Sequence, residues 1–235
     1  MKKFKPKLIP TLFTILVFMV LITLGTWQVE RLEWKLALID KINKKLENPI
    51  LELPAKIDVE DMQYSIIKVT GQFLNNDEMY LYAGPKYMGG ESGYDILTPF
   101  KRLDGSFVLI DRGWVPESKK QNSARPNSLI EGTTEVVGMV QKGEHRTLFM
   151  PENQPAKNLW LWIDIANIAK YYNVDLGDYY IRRIKQEADG ANLPIGGDKN
   201  VHYRNDHLQY AITWYSLAFI LLIIYFLSHY KKVDE

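Results

Sequence analysis

The 235-residue chain contains no cysteine. Disulfides, thiolate catalysis, cysteine-based zinc or copper centres and covalent haem attachment through Cys-x-x-Cys-His are therefore excluded together. Histidine is scarce: His145, His202, His207 and His229 are the four present, so any soft-metal site must draw on them. The net charge of +1 lacks the basic excess that marks nucleic-acid-binding domains, and no nucleic-acid partner is expected. Catalytic signatures are missing as well. There is no phosphate-loop motif, no His-Glu-x-x-His, no Rossmann fingerprint and no Gly-x-Ser-x-Gly elbow; Gly89-Gly90-Glu91-Ser92-Gly93 has the wrong spacing. The carboxylates are scattered, so no acid–base pair can be read from spacing. The chain is expected not to be an enzyme.

Two long runs without charge stand out against a mean hydropathy of −0.21. The first, residues 8–25, follows Lys2, Lys3, Lys5 and Lys7 and is interrupted only by Pro10. It is long for a signal peptide, and Thr-Trp-Gln-Val follows in place of an Ala-x-Ala cleavage site, so an uncleaved first transmembrane helix is expected. The second, residues 210–227, carries Tyr210, Trp214 and Tyr215 at one end and Tyr225 and Tyr230 at the other. Roughly 20 apolar residues span a bilayer core, with aromatic rings at headgroup level. Lys231 and Lys232 follow it. Lysines beside both spans place both ends of the chain in the cytoplasm. The expected plan is a cytoplasmic start over 1–7, transmembrane helices over 8–27 and 207–228, an extracytoplasmic domain over 28–206 and a cytoplasmic tail over 229–235.

The first helix is expected to continue past the membrane. Residues 27–46 lack Gly and Pro, with Leu32, Leu36, Ile39 and Leu46 near one face, until Pro49 and Pro54 break it. From residue 63 to 187 the pattern turns to short strands over 64–73, 78–83, 94–102, 106–115, 134–142, 158–163 and 179–185, with a helix over 164–172. Pro99 demotes its strand to an edge or a bulge. Asp104-Gly105 marks a hairpin. The fold class expected is an α+β membrane protein: two transmembrane helices flank a mainly antiparallel, partly closed barrel-like domain with one or two short helices. Asp111 and Arg112 point to opposite faces of a regular strand and do not form one site; Asp111 is expected to satisfy backbone donors and Arg112 to make a surface ion pair.

Candidate binding residues cluster where the spans meet water. His207, Ala211, Trp214 and Ala218 share one helical face, and the two alanines would admit a second helix or a flat ligand. Two readings of His207 stand: a headgroup-zone residue, or an ionisable group retained for function. Trp27, Arg31 and Trp34, at i, i+4 and i+7, also allow two readings: an interfacial anchor, or a face on which Arg31 pairs with a ligand carboxylate.

Four segments together resemble the surfeit locus one family of assembly factors for haem–copper cytochrome oxidase. They are Leu24-Gly25-Thr26-Trp27-Gln28 with Arg31 and Trp34-Lys35; Val69-Thr70-Gly71-Gln72-Phe73; Ile110-Asp111-Arg112-Gly113-Trp114-Val115-Pro116; and the run from Asn205-Asp206-His207 through Tyr210 and Trp214 to Ala218. The resemblance implies a role in maturing cytochrome oxidase subunit one near haem a insertion, with haem a as transient cargo and haem a synthase as a further partner beside membrane lipid. It implies His207 as ligand to the haem iron, a pocket shaped by Tyr210 and Trp214, and Arg31 beside Trp27 near a propionate. It also places the Trp27/Arg31/Trp34 face near the start of the second helix, with Gly25 allowing close approach. A membrane scaffold that never binds haem remains the alternative; a membrane-tethered hydrolase is a third reading, weakened by the missing nucleophile motif. The absence of an Arg- and Ser-rich leader points to a bacterial plasma membrane with a periplasmic domain; a mitochondrial inner-membrane chain already stripped of its transit peptide stays open.

Overall fold

A computed structural model describes residues 2–84, 91–144, 146–187, 192–199 and 205–232. In chain order the elements are β1 (Lys2–Phe4), α1 (Leu8–Glu47), β2 (Leu51–Glu52), α2 (Val59–Met62), β3 (Ile66–Phe73), β4 (Met79–Tyr82), β5 (Gly93–Arg102), β6 (Phe107–Pro116), β7 (Thr134–Lys142), β8 (Leu159–Trp160), α3 (Ile165–Tyr172), β9 (Leu176–Arg183), α4 (His207–His229) and β10 (Tyr230–Lys232). They form two compact units: Met1–Asn43 with His202–Glu235, and Lys44–Val201.

The first unit is a pair of helices, each long and apolar enough to cross a membrane. Pro10 falls in the first turn of α1, where its missing N–H costs no bond, and α1 ends at Glu47, just before Asn48 and Pro49. The helix therefore runs unbroken through Gly25 to the expected proline stop. Helices α1 and α4 lie antiparallel: Thr11 meets the Tyr225 hydroxyl at 2.6 Å at one end, and Thr26 meets the Tyr215 hydroxyl at 3.2 Å toward the other. Strands β1 and β10 pair antiparallel, Lys2 opposite Lys232 and Phe4 opposite Tyr230, which brings the two ends of the chain together. Gly25 makes the close packing possible, since a Cβ there would stand 2.7 Å from the Tyr215 ring.

The second unit is a closed five-stranded barrel. The ring runs β3–β5–β6–β9–β7 and back to β3, with every neighbour antiparallel except β6 and β9. Strands β2, β4 and β8 are added outside the ring. Closure depends on Gly71, which is paired with Thr134 of β7 and Arg102 of β5 at once. A Cβ at that point would lie 2.2 Å from the Lys101 carbonyl oxygen, so only glycine lets the two backbones approach. Alternation along the strands fills two cores. Ile67, Val69, Phe73, Val108, Ile110, Val140 and Ile181 point one way with Phe100. Leu109 and Leu97 point the other way, onto Ile165 and Ile168 of α3 and Trp160. Asp164 caps α3 by accepting from the Asn167 amide.

The strand reading holds in its main parts and fails at instructive points. The hairpin at Asp104-Gly105 forms, with Gly105 at φ +85° and the Asp104 carboxylate accepting from the Ser106 amide. Strand β5 is not an edge, although Pro99 lies in it. On one side its partner changes from β4, through Leu97, to β3, from Phe100 onward. The missing N–H falls in that gap, where the Pro99 carbonyl accepts from Leu74. A register shift between Asp95 and Leu97 supplies the bulge. The strand expected over 158–163 shrinks to β8 because the Asn153 side chain takes the amides of Leu161 and Trp162 away from a ladder.

Arg112 corrects a further expectation. Asp111 does accept from a backbone donor, the Gly113 amide, and the two side chains do take separate partners. Arg112, however, makes no surface pair. It is 2% exposed, and its Nη1 donates to the Glu78 carboxylate at 2.9 Å. Arg125 donates to the same carboxylate at 2.5 Å. Its Nε also donates to the Lys119 carbonyl and its Nη1 to the Ser128 hydroxyl, which pins the loop after β6 against the barrel.

Candidate functional site

The candidate residues of the helix pair gather at the end where α4 begins. His207 is the first residue of α4, after Asp206. Its Nδ1 lies 2.7 Å from Oε1 of Gln28 on α1. An amide oxygen can only accept, so Nδ1 is the donor, and in the neutral imidazole the lone pair then sits on Nε2. Two residues earlier, both polar atoms of the Asn205 side chain are buried without a hydrogen-bond partner among the described residues. Such an amide is costly unless a water or ligand group satisfies it. Ala211 and Ala218, on the His207 face, are 2% and 1% exposed. That face therefore admits a second helix, as its small residues allow, and is closed to a flat molecule. Trp214 is half-buried, and Tyr210 is exposed on the outer side of α4.

The Trp27/Arg31/Trp34 face lies elsewhere. Trp27 and Trp34 are 46% and 57% exposed, and the Arg31 guanidinium sits 5.7 Å and 5.6 Å from their ring centres. This is a cation between two rings of its own helix, the arrangement of an interfacial anchor. The expectation that this face packs at the start of the second helix is thus corrected: Gly25 and Gln28 fill that role. The reason is helical geometry, since at 3.6 residues per turn Trp27, Arg31 and Trp34 point about a third of a turn away from Gly25 and Gln28.

Gln28 is the functional candidate that the sequence reading passed over, although it stood in the quoted motif. The signal was present: a glycine that allows close approach marks the packed face, and Gln28 is three residues on, on that same face. His202 and His145, the other histidines considered beside His229, lie outside the described residues. His229 is buried at the far end of α4, with Nδ1 at 2.8 Å from the Tyr225 carbonyl oxygen and its ring against Tyr225. The pair of helices thus holds one histidine at each end, and among the described residues His207 is the one hydrogen-bonded to a side chain of the other helix.

The whole arrangement, from within α1 through the barrel into α4, matches a known family. The SURF1 family model covers residues 15–219. A SURF1-like protein of Monosiga brevicollis is 35% identical over 214 residues, 86% of this chain and 80% of that one. One from Rickettsia felis is 33% identical over 218 residues, 91% and 94% of the two chains. Surfeit locus protein 1 of Xenopus tropicalis is 32% identical over 230 residues, 90% and 73%. The chain belongs to the SURF1 family.

Proposed function

We propose that the protein assists assembly of haem–copper cytochrome oxidase at a membrane, holding haem a as cargo at His207 for delivery to subunit one. Family membership supports the assembly role. The observation that carries the haem-binding part is the His207–Gln28 hydrogen bond, because in the neutral imidazole it leaves the lone pair on Nε2 for a metal. An imidazole whose other nitrogen is held by an oxygen is the form that ligates metals. The bound iron would supply a Lewis-acidic centre for that lone pair. The chain's own residues orient the ring through Gln28 and present aromatic surface at Tyr210 and Trp214. Tyr210 and Trp214 follow His207 at about one and two turns along α4 and would shape the pocket.

Arg31, beside Trp27, would pair with a propionate. Leaving its two rings costs about 0.5–1 kcal/mol for each exposed contact, whereas hydrogen bonds to a charged group return about 1.5–3 kcal/mol. Haem a synthase is the donor and subunit one the receiver. The role is that of a carrier without turnover, and ligation by one histidine leaves the cargo free to move on. The orientation proposed puts both ends of the chain in the cytoplasm and the barrel outside, in a bacterial plasma membrane. The ladder between β1 and β10 supports a common side for the ends, and Lys2, Lys3, Lys231 and Lys232 support the cytoplasmic one. A periplasmic reporter fused after Glu235 should be inactive; an active one overturns the orientation.

A scaffold that binds no haem is the second reading. It draws on the buried Ala211 and Ala218, which leave no slot for a flat ligand on that face. The test is the visible spectrum of protein coexpressed with haem a synthesis enzymes. Wild type should show a Soret band, and His207→Ala should lose most of it at matched protein level and membrane insertion. His202→Ala should have the smaller effect. Equal haem content in His207→Ala and wild type would put the scaffold ahead.

A further inference from the structure

Among the described residues, three side chains keep buried polar atoms without a hydrogen-bond partner: Thr98, Trp160 and Asn205. Thr98 and Trp160 lie in strands β5 and β8, and each orphans a single group. Asn205 differs in place and in kind. It stands two residues before His207, just ahead of α4. Its carboxamide offers a donor and an acceptor, and both atoms, Nδ2 and Oδ1, are buried and unpaired.

The fold alone gives no reason for an amide there. An asparagine at the start of a helix ordinarily turns its side-chain oxygen onto a backbone N–H of the first turn. Here Asp206 is the residue at the cap, and the Asn205 oxygen accepts from no backbone amide. Leucine has nearly the same shape and would fill the position without burying unpaired polar atoms. The residue therefore works against stability until a second group supplies a partner. The Cα atoms of Asn205 and His207 are at most about 7 Å apart, since only two residues separate them. A porphyrin held at His207 carries its rim substituents over a radius of that order.

We propose that Asn205 hydrogen-bonds an uncharged oxygen on the porphyrin rim and so selects haem a over haems that lack it. The inference rests on the carrier reading of His207. Haem a has two such oxygens: a formyl group, which accepts from Nδ2, and a side-chain hydroxyl, which donates to Oδ1 or accepts from Nδ2. The propionates are not the target. They are common to all haems, and a carboxylate beside a neutral buried amide would lose water without gaining a cation.

The probes are haem a, haem o and haem b. Haem o keeps the hydroxyl and lacks the formyl; haem b lacks both. Full-length wild type and Asn205→Leu, purified without haem in detergent, are titrated with each, and the unfolding midpoints of the haem-free proteins are measured. Asn205→Leu should bind haem a about tenfold more weakly and haem b unchanged, with the histidine-ligated spectrum retained. A matching loss for haem o assigns the hydroxyl; a loss confined to haem a assigns the formyl. The haem-free midpoint should hold or rise, because leucine removes a buried unpaired amide. A merely structural residue would lower the midpoint and weaken all three haems together. That result, or unchanged haem a affinity in Asn205→Leu, would overturn the inference and leave His207 as the ligand. Wild type that binds none of the three haems would overturn the carrier reading and this inference with it.

Discussion

The helix pair and the barrel solve the problem of polar groups in opposite ways. Between α1 and α4 hydroxyl, amide and imidazole groups meet: Thr11 with Tyr225, Thr26 with Tyr215, and Gln28 with His207. Each is a single hydrogen bond laid across small-residue packing, as suits a pair of apolar helices. The barrel instead buries full charges and satisfies them with one another, Glu78 against Arg112 and Arg125. The comparison teaches where each unit is vulnerable. The barrel depends on charge compensation, and the helix pair depends on shape.

The largest effect should come from breaking the barrel's side of this contrast. Glu78→Gln leaves two buried guanidinium groups without a carboxylate. Loss of one partner of a buried pair costs about 3–5 kcal/mol, so denaturant unfolding of the barrel should shift by that amount. A shift like that of a surface change would show that the network is solvated and the contrast false.

Breaking the helix side should cost less. Gly25→Val drives a side chain into the Tyr215 ring, and overpacking costs about 1–3 kcal/mol. Tyr215→Ala should restore much of the loss in the double variant, because it removes the atoms that clash. Cysteine cross-linking between engineered positions on α1 and α4, in a chain with no native cysteine, reads the separation directly. Undiminished cross-linking in Gly25→Val alone would refute the shape argument.

These two sites also show what a sequence can and cannot reveal. Gly25 was legible as a point of close approach because a glycine in an apolar helix has few other uses. Strand β7 was legible to the residue, Thr134–Lys142, because its flanks are turn chemistry and it is rich in β-branched residues, Thr134, Val136, Val137 and Val140. The Glu78–Arg112 pair was not legible, since the partners are 34 positions apart and only the register of β4 and β6 on either side of β5 joins them. Pro99 left an edge or a bulge open: the bulge is there, between Asp95 and Leu97, whereas the change of strand partner beside Pro99 is a tertiary event that local propensity does not show. At the candidate site His207 was legible from its place ahead of an uncharged run. The choice of Gln28 over Arg31 as its neighbour required the rotational setting of α1, which aromatic spacing alone misassigned.

The smallest effect sharpens the contrast at the barrel's rim, where charge is exposed rather than buried. Hydrogen bonds from the Ser106 side chain and amide hold the Asp104 carboxyl below its ordinary value of 3.8. A depressed folded value means that its stabilisation is present above pH 3.8 and disappears as pH falls through the lower folded value. Asp104→Asn should therefore cost a small amount of stability at neutral pH and flatten the loss that wild type shows as pH falls through that window. An acid profile identical to wild type would show that the turn contributes nothing through its charge.

The central claim is that His207 ligates haem a through Nε2 because Gln28 holds Nδ1. The most direct measurement is the haem a dissociation constant of purified wild type, Gln28→Leu and His207→Ala, titrated spectroscopically at equal protein. Loss of an oxygen partner behind a ligating histidine costs about 10–100-fold in affinity. The account predicts that order: tight binding in wild type, weakening within that range in Gln28→Leu with the histidine-ligated spectrum retained, and loss of that spectrum in His207→Ala. Equal affinity and identical spectra in all three proteins would contradict it.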